Sequence, residues 1–390
     1  MHHVKVWESI RRLSAACCLL TIAVAWAGCS RYSPPSFELN LEGRKPDSVS
    51  PLQRQVLEET LTDLFGTPDE PKVPEGVELD LEKLKRAAGP VGRDYDGVER
   101  GLFRKHCVTC HGISGDGAGP IAAMLTPYPR DFRWGIFKYT STVLGAKPTR
   151  ADLRKTLRRG LPGTAMPSFM GLSDDDLECL IEYVKYLSIR GETERYLVRL
   201  VVDENEPIPL DRELVMEEGV LPAAQSWDWP ELDPETFVVK PERPRLSAEE
   251  LAESIARGKV LYQAEKSQCV KCHGPEGHGD GEEKELYDDW NKPKKGVTPE
   301  QTAELRPLFK LPLQRLQARD FREGIFHGGG TPEDIYLRIY TGIKGTPMPA
   351  AGEAPGVPGA LEPEEIWDIV HYVLSLSRTQ VQQASPPDRF

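Results

Sequence analysis

One five-residue pattern occurs twice in this chain, and it constrains the fold more than any other feature. Residues 107–111 read CVTCH and residues 269–273 read CVKCH. Two thiols three positions apart can form thioether bonds to one haem, and the adjacent histidine then binds the iron. A Cys-x-x-Cys pair alone would also suit zinc or a redox disulfide, but the histidine and the second copy favour haem. The predicted attachment residues are Cys107, Cys110, Cys269 and Cys272, and the predicted proximal ligands are His111 and His273.

A loop downstream of each pattern predicts the second iron ligand. Residues 160–167 read GLPGTAMP and residues 342–349 read GIKGTPMP. A methionine thioether is a soft, uncharged ligand, and the flanking Gly and Pro hold an extended path from which the sulfur can point inward. We therefore predict Met166 and Met348 as iron ligands. Three other methionines are interpreted as core-filling residues: Met124, Met170 and Met216.

Each half of the chain resembles a class I cytochrome c domain. The shared features are a haem motif after a helix, a Met-Pro loop, and a closing helix with a Tyr-Val-x-x-Leu-Ser pattern. The resemblance covers residues 95–190 and 250–378. It implies a mainly α fold of two tandem domains, each a small helical bundle around a covalently bound haem c, with irregular extensions. The expected cofactors are thus two haem c groups.

The resemblance also implies roles for residues around the first motif. Phe103 is expected to pack on the closing helix, and Pro120 resembles the proline whose carbonyl accepts a hydrogen bond from the proximal histidine. The second copy has Glu282 in that place, so this role has no support there. His106 is expected to face outward rather than to compete as a ligand.

A second repeated segment allows two interpretations. Residues 130–137 read RDFRWGIF and residues 319–326 read RDFREGIF. Arg130 and Arg319 could each pair with a haem propionate, which suits the planar guanidinium. The alternative is an Arg–Asp surface pair with the phenylalanine in the core.

The closing helices are predicted to begin after Ser173 and near Glu362, each with acidic residues in its first turn. Cys179 aligns with Asp368, so it is expected at a peripheral position. His371 aligns with Glu182 and is expected to be exposed.

The predicted domain organisation follows from these repeats. It comprises a signal peptide (1–28), a tether and N-terminal extension with one amphipathic helix at 51–64 (29–94), a first cytochrome domain (95–190), an inter-domain segment (191–246), a second cytochrome domain (247–378) and a C-terminal tail (379–390).

The inter-domain segment is expected to pack between the domains, with a short strand at 197–202. A tryptophan pair, Trp227 and Trp229, allows an electron-relay interpretation, although interface packing is the commoner role. An insertion at 282–317 is expected to be the most distinctive surface of the molecule. His278 and His327 lie in Gly-rich loops, where either a surface position or replacement of Met348 on iron is possible.

The N-terminus predicts export. Basic residues precede the apolar run 13–27, which has signal-peptide length and is short for a membrane span. Residues 27–29 resemble a bacterial lipobox, although Trp26 replaces the usual aliphatic residue. We expect a periplasmic protein anchored to a bacterial membrane by a lipid on Cys29, with ordinary secretion or an uncleaved anchor as alternatives.

The net charge of −12 argues against nucleic acid as a partner. It favours respiratory redox partners with basic docking surfaces, and a solvated acidic surface is the alternative. Six-coordinate iron leaves no open site, so the sequence predicts an electron carrier and not an enzyme. The alternative is a dihaem redox enzyme such as a peroxidase or a thiosulfate-oxidising cytochrome, and a subunit of a larger respiratory complex would share the carrier chemistry.

Overall fold

The structure is a computed structural model that describes residues 33–41, 44, 46–292 and 310–384. Ser36–Phe390 forms one compact unit, and the other unit, Met1–Pro35, lies almost wholly outside the described residues. The predicted signal peptide, Cys29 and the end of the predicted tail also lie outside them. No described helix combines the length and apolarity that crossing a bilayer requires.

The chain is mainly helical, as predicted, and each haem motif lies in its own lobe. The first lobe (described residues from 36 to 246) begins with the helices α1 (Pro51–Phe65), α2 (Leu81–Ala87), α3 (Leu102–His106), α4 (Val108–His111), α5 (Arg150–Arg159) and α6 (Asp174–Val198). Two short antiparallel strands, β1 (Gly92–Arg93) and β2 (Glu99–Arg100), precede α3. A connecting segment follows α6, with π-helical turns at Arg199–Asp203 and Val215–Val220 and the short helices α7 (Arg212–Leu214), α8 (Leu221–Gln225), α9 (Trp229–Leu232) and α10 (Pro234–Phe237).

The second lobe (described residues from 247 to 377) repeats the arrangement with fewer helices. They are α11 (Ala248–Gln263), α12 (Cys269–His273), α13 (Pro332–Thr341) and the closing helix α14 (Pro363–Ala384). The strongest packing in this lobe is between α11 and α14, which cross each other.

Side-chain caps explain where the helices begin. Ser50 forms a capping box at the start of α1, which confirms the helix predicted at 51–64. Thr149 and Thr331 cap α5 and α13 in the same way, with an aspartate at the third helical position in each case. Both helices end at a glycine with positive φ, Gly160 and Gly342.

The connecting segment belongs to the first lobe. Residues 197–202 are helical, so the strand predicted there is wrong; Leu197, Val198 and Val201 continue the buried face of α6. Trp227 is also buried in the first core, whereas Trp229 is about half exposed. The segment was predicted to pack between the lobes, but its residue Trp227 packs inside the core of the first lobe.

Cys179 was predicted to be peripheral on its closing helix, but this position is buried in both lobes. Cys179 is fully buried in α6. Its counterpart Asp368 is also buried, and it accepts hydrogen bonds from Arg257 at 2.8 and 2.9 Å. The charged residue at the aligned position therefore did not indicate exposure, because Arg257 on α11 forms an ion pair with Asp368 inside the lobe.

His371, which was expected to be exposed, is also buried in α14. Its Nδ1 lies 2.8 Å from the Ser254 hydroxyl of α11. Its counterpart Glu182 is buried as well, and it accepts a hydrogen bond from Arg150 at 2.7 Å. Each closing helix therefore has a buried polar side chain that forms a hydrogen bond with a neighbouring helix.

The methionines interpreted as core residues behave differently from one another. Met124 and Met170 are 76% and 78% exposed, so their assignment to the core is wrong. Met216 packs against the first core, as expected.

Candidate haem sites

The proximal histidine of the first lobe is held by a backbone carbonyl. His111 is buried, and its Nδ1 lies 3.0 Å from the carbonyl oxygen of Arg130. Its ring stacks on Phe132 with a centroid distance of 4.5 Å. A hydrogen bond at Nδ1 directs Nε2 away from the bond, which is the arrangement that a metal-binding histidine uses.

The second lobe reproduces this arrangement. Nδ1 of His273 lies 3.2 Å from the carbonyl oxygen of Arg319, and the ring stacks on Phe321 at 4.4 Å. The hydrogen-bond role predicted for Pro120 is therefore wrong. The repeated RDFR segment supplies the acceptor carbonyl in both lobes. The near identity of this segment in the two copies was the sequence signal that could have identified the acceptor.

Burial keeps both histidines neutral. It lowers the pKa of His111 to about 4 and also lowers the pKa of His273, and the hydrogen bond to the Arg carbonyl opposes that effect in each case. A neutral imidazole is the form that binds a metal.

The two methionine loops have the same internal hydrogen bonds. In the first, the Thr164 hydroxyl donates to the Leu161 carbonyl at 2.8 Å and accepts from the Met166 amide at 3.1 Å. In the second, Thr346 makes the corresponding bonds at 2.7 and 3.2 Å and so holds Met348. The repeated G-T-x-M-P frame is thus a repeated geometry.

The glycine that opens each methionine loop allows a close approach. Gly160 has φ +65°, and a methyl group there would lie 2.7 Å from the Met166 carbonyl oxygen. Gly342 has φ +67°, and its methyl group would lie 2.9 Å from the Met348 carbonyl oxygen. Both the left-handed backbone and the short distance exclude side chains other than glycine.

The motif cysteines Cys107 and Cys269 lie next to the apolar cores of their lobes. Among the described residues, none of the five cysteines forms a disulfide. Burial raises the pKa of Cys107 to about 12 and also raises the pKa of Cys269. Burial therefore favours the uncharged thiol at both positions. No cluster of three or more His, Cys, Asp or Glu residues that suits a metal ion occurs in the described ranges.

Aromatic packing joins each motif to its closing helix. Phe103 contacts Tyr183 with a centroid distance of 4.9 Å, which confirms the contact predicted for it. Tyr262 makes the corresponding contact with Tyr372 at 5.3 Å. His106 was expected to face outward, but it is half-buried, with its ring edge against Phe169.

The arginine that precedes the repeated aspartate does not form the surface pair considered above. Asp131 is buried and accepts from the Arg133 guanidinium at 2.8 and 2.9 Å, and Asp320 pairs with Arg322 in the same way. Both terminal nitrogens of Arg130 are buried without a hydrogen-bond partner in the described residues. Arg319 contacts His327 instead.

The two lobes contact each other through equivalent surfaces. A methyl group on Gly163, in the first methionine loop, would lie 3.0 Å from Cγ2 of Ile325. A methyl group on the equivalent Gly345 would lie 3.1 Å from Cγ2 of Ile136. Each methionine loop therefore lies on the RDFRxGIF segment of the opposite lobe, which is the pattern of a two-fold interface.

The described parts of the insertion lie against the first lobe. We call residues 282–292 and 310–317 the insertion arm. Gln314 donates to the Leu125 carbonyl at 2.8 Å and accepts from the Tyr128 amide at 3.0 Å. Lys310 forms an ion pair with Asp116. The insertion arm therefore covers part of the first lobe; residues 293–309 of the insertion lie outside the described residues.

His327 also belongs to the contact between the lobes. A methyl group on Gly163 would lie 3.3 Å from its ring, and burial lowers its pKa to about 4. His278 lies near the surface, 3.7 Å from Glu276. Nothing in the described contacts places either ring beside Met348.

The residues of both sites fit a covalently bound haem. Each site has two uncharged thiols, a neutral histidine oriented through Nδ1, and a thioether in a fixed loop. The buried, unpartnered guanidinium of Arg130 also suits the carboxylate edge of such a group. These features define a protein of the class that binds haem c.

Comparison with known proteins identifies the family. The family model described as cytochrome c matches residues 100–188 and 255–377, which together make up more than half of the chain. The chain therefore belongs to the cytochrome c family, with a role in haem-based electron transfer or redox chemistry. Among curated proteins, none matches the chain.

A solved structure is also similar. It is a chain of the Kuenenia stuttgartiensis reducing HAO-like protein complex Kustc0457/Kustc0458, with 27% identity and a TM-score of 0.49. The match covers 74% of the present chain and 98% of the other. HAO-like denotes likeness to hydroxylamine oxidoreductase, a redox enzyme. This finding contradicts the prediction that the chain is not an enzyme, and that exclusion is withdrawn.

Proposed function

We propose that the chain holds one haem c in each lobe, with His111 and Met166 as the iron ligands in the first and His273 and Met348 in the second. Haem c supplies one-electron oxidation and reduction at iron, and histidine with methionine is a ligand pair typical of electron transfer. The chain would pass single electrons between its two lobes and onward to protein partners in a respiratory chain.

The observation that carries this proposal is the reciprocal contact between the lobes. Gly163 and Gly345 belong to the two methionine loops, and each lies within van der Waals contact distance of the opposite lobe. Gly328 and Tyr139 occupy equivalent repeat positions and contact each other, as residues near a two-fold axis do. The ligand loops therefore face the shared interface, and this arrangement shortens the path between the two sites.

Side chains of both lobes and of the insertion arm close this interface. The insertion arm places Trp290 over the guanidinium of Arg130, with 3.7 Å between Cζ and the ring centroid. Arg338 of α13 donates to the Thr140 carbonyl at 2.9 Å, and Lys344 donates to the Thr142 hydroxyl at 2.7 Å. Excluding water lowers the solvent reorganisation that a change of charge would require.

We further propose that the protein acts on the periplasmic side of a bacterial membrane, anchored by a lipid on Cys29. The apolar run at 13–27 and the lipobox-like residues 27–29 support this proposal. The acidic net charge of −12 supports redox partners with basic docking surfaces.

Haem content and spin state test the proposed function. The chain is produced in a host that attaches haem c, and its haem is counted by the pyridine haemochrome assay and examined by EPR during a redox titration. We expect two low-spin haems. The variants Cys107→Ala/Cys110→Ala and Cys269→Ala/Cys272→Ala should each lose one haem, and the control Cys179→Ala should keep both. A single haem in the unsubstituted chain, or a high-spin haem at either site, would refute the proposal.

A further inference from the structure

The connecting segment exposes a group of apolar side chains on the first lobe. Trp229 and Leu232 lie three residues apart on one side of α9, and they are 46% and 81% exposed. The ring of Phe237 stacks on that of Trp229 with a centroid distance of 6.0 Å. The Val143 amide donates to the Phe237 carbonyl at 2.9 Å, and the next residue, Leu144, is 51% exposed. We call Leu144, Trp229, Leu232 and Phe237 the apolar patch.

The apolar patch has an acidic border. Residues 228–236 include no lysine or arginine and four acidic residues: Asp228, Glu231, Asp233 and Glu235. The last three are exposed. Lys240 pairs with Glu235 at 2.6 Å, whereas Glu231 accepts from the uncharged Arg150 amide at 2.9 Å. An apolar centre that contains a tryptophan and has a charged border is typical of a protein-docking surface.

The sign of this border indicates the kind of partner. A partner whose docking surface carries lysine and arginine around an apolar centre complements it, and opposite charges on the two borders speed the encounter. A second copy of this chain would instead bring two acidic borders together, which like-charge repulsion disfavours.

Buried rings connect the segment behind the apolar patch to the first haem site. The ring of His111 stacks on that of Phe132 at 4.5 Å, and Phe132 stacks on Phe137 at 6.1 Å. Phe137 contacts Trp227 at 5.6 Å, and Trp227 precedes Trp229 by only two residues. Each distance lies within the range of direct ring contact. We call Phe132, Phe137 and Trp227 the ring column.

The second lobe repeats only the inner part of the ring column. His273 stacks on Phe321 at 4.4 Å, and Phe321 stacks on Phe326 at 6.0 Å. In the part of the chain that the structure describes, no ring contact extends this series beyond Phe326. Electron tunnelling through protein slows steeply with distance and with unfilled gaps. The packed route to the apolar patch therefore favours the first lobe as the point of electron exchange.

We propose that the apolar patch is the docking surface for a basic one-electron redox protein, and that the ring column carries the electron between this partner and the first lobe. The inference rests on the proposed function, because the transfer requires a haem in that lobe. For a reduced partner, one electron leaves the partner's redox centre and reduces the ferric iron held by His111. No bond forms or breaks, and no proton is needed.

A binding measurement tests the docking surface. The probe is mitochondrial cytochrome c, a small basic one-electron carrier, and its Kd for the full chain is measured by calorimetry at low ionic strength. Leu232→Ser should weaken binding about tenfold, as loss of a central interface contact does. Leu52→Ser, at an exposed position of α1, is the control and should bind as the unsubstituted chain does.

A second pair of variants tests the acidic border. Glu231→Gln/Glu235→Gln removes two negative charges from it, and Glu58→Gln/Glu59→Gln removes two from exposed positions of α1. The first variant should bind more weakly, and its Kd should depend less on ionic strength, because fewer charges face the partner. The second should keep most of the affinity and of the salt dependence.

Stopped-flow kinetics test the ring column. Reduced probe is mixed with the oxidised chain, and the first-order rate of electron transfer is measured at saturating probe. Trp227→Leu should slow this rate and leave Kd unchanged, whereas Trp227→Phe keeps a ring and should retain most of the rate. Cys107→Ala/Cys110→Ala, which lacks the first attachment site, should still bind the probe but lose the fast phase. Circular dichroism checks that each variant is folded.

Several results would overturn the inference. Equal Kd values for Leu232→Ser and Leu52→Ser, or no saturable binding of the probe, would exclude the docking surface. Self-association of the chain that Leu232→Ser abolishes, measured by sedimentation equilibrium, would assign the apolar patch to a second copy. An unchanged first-order rate in folded Trp227→Leu would exclude the ring column. The pyridine haemochrome count separates these results from failure of the proposed function, since any of them with two haems present refutes this inference alone.

Discussion

Gly258 of α11 lies so close to the carbonyl oxygen of Asp368 in α14 that a methyl group at Gly258 would overlap it. This contact sits at the crossing of the two helices that dominate the second lobe. Ser254 and Arg257, on the same helix, bind the Asp368 side chain. The crossing therefore combines a backbone contact that only glycine allows with a buried polar network.

Replacing Gly258 with alanine should destabilise the second lobe. The methyl group would force the two helices apart, and such overpacking typically costs about 1–3 kcal/mol. Gly171→Ala is the matched control, because a methyl group there meets no atom within 4 Å. Thermal unfolding followed by circular dichroism should show a lower Tm for Gly258→Ala only. Equal Tm values for the two variants would contradict the close approach.

Replacing either predicted methionine ligand should change the spectrum of one haem. Met166→Ala or Met348→Ala would remove the thioether, so roughly half of the sulfur-to-iron charge-transfer absorption should disappear and one haem should become high-spin or bind water. Met170→Ala is the control, because Met170 lies four residues from Met166 and is exposed. A full charge-transfer band in Met166→Ala would exclude Met166 as a ligand.

The contact between the lobes should weaken in acid. Lys310 pairs with Asp116 and Lys155 pairs with Asp334 across the interface. Burial alone would raise the pKa of both carboxyl groups, but the bonded ammonium groups outweigh it and hold the pKa values below the ordinary range. The stabilisation is therefore fully present above the ordinary aspartate pKa of about 4, and it is lost as the pH falls through the lowered values.

Small-angle scattering between pH 6 and pH 3 measures this loss. The radius of gyration should increase at the acid end as the lobes separate. The variant Asp116→Asn/Asp334→Asn lacks the two titrating carboxyl groups. The separation of its lobes should therefore not show the same dependence on pH. Identical pH profiles for the variant and the unsubstituted chain would show that these two pairs do not control the contact.

Haem removal should affect the two lobes unequally. The first lobe has a large core that includes α1, α2 and the connecting segment, with Leu57, Leu84 and Trp227 among its buried residues. The second core is much smaller and lies mainly between α11, α13 and α14. Cys269→Ala/Cys272→Ala should therefore unfold the second lobe, whereas Cys107→Ala/Cys110→Ala should leave the first lobe folded. Hydrogen exchange resolved by mass spectrometry would distinguish these outcomes, and equal protection of both lobes would contradict the expectation.

Local patterns in the sequence predicted local structure well. The helix predicted at 51–64 is present, and Ser50 caps it; Thr149 and Thr331 cap α5 and α13 in the same way. Such signals are local, because a cap bonds to backbone amides only two or three positions away. The methionine loops were predictable for the same reason. Their threonine and glycine residues act within a single turn.

Features that depend on packing between distant segments were not predictable. The burial of His371 depends on the crossing of α11 over α14, and the bond from His111 to the Arg130 carbonyl depends on a loop path of 19 residues. Trp290 lies in an insertion without a counterpart in the first copy. No repeat comparison could therefore have placed it at the interface.

The two-fold contact between Gly163 and Ile325 and between Gly345 and Ile136 has a consequence for assembly in dilute solution. Two separate subunits with such an interface would dissociate once their concentration fell below the dissociation constant. Here both halves belong to one polypeptide, so each half meets the other at an effective concentration set by the connecting chain. The two sites are therefore always present in a ratio of one to one. This ratio does not depend on how many copies of the protein the compartment contains.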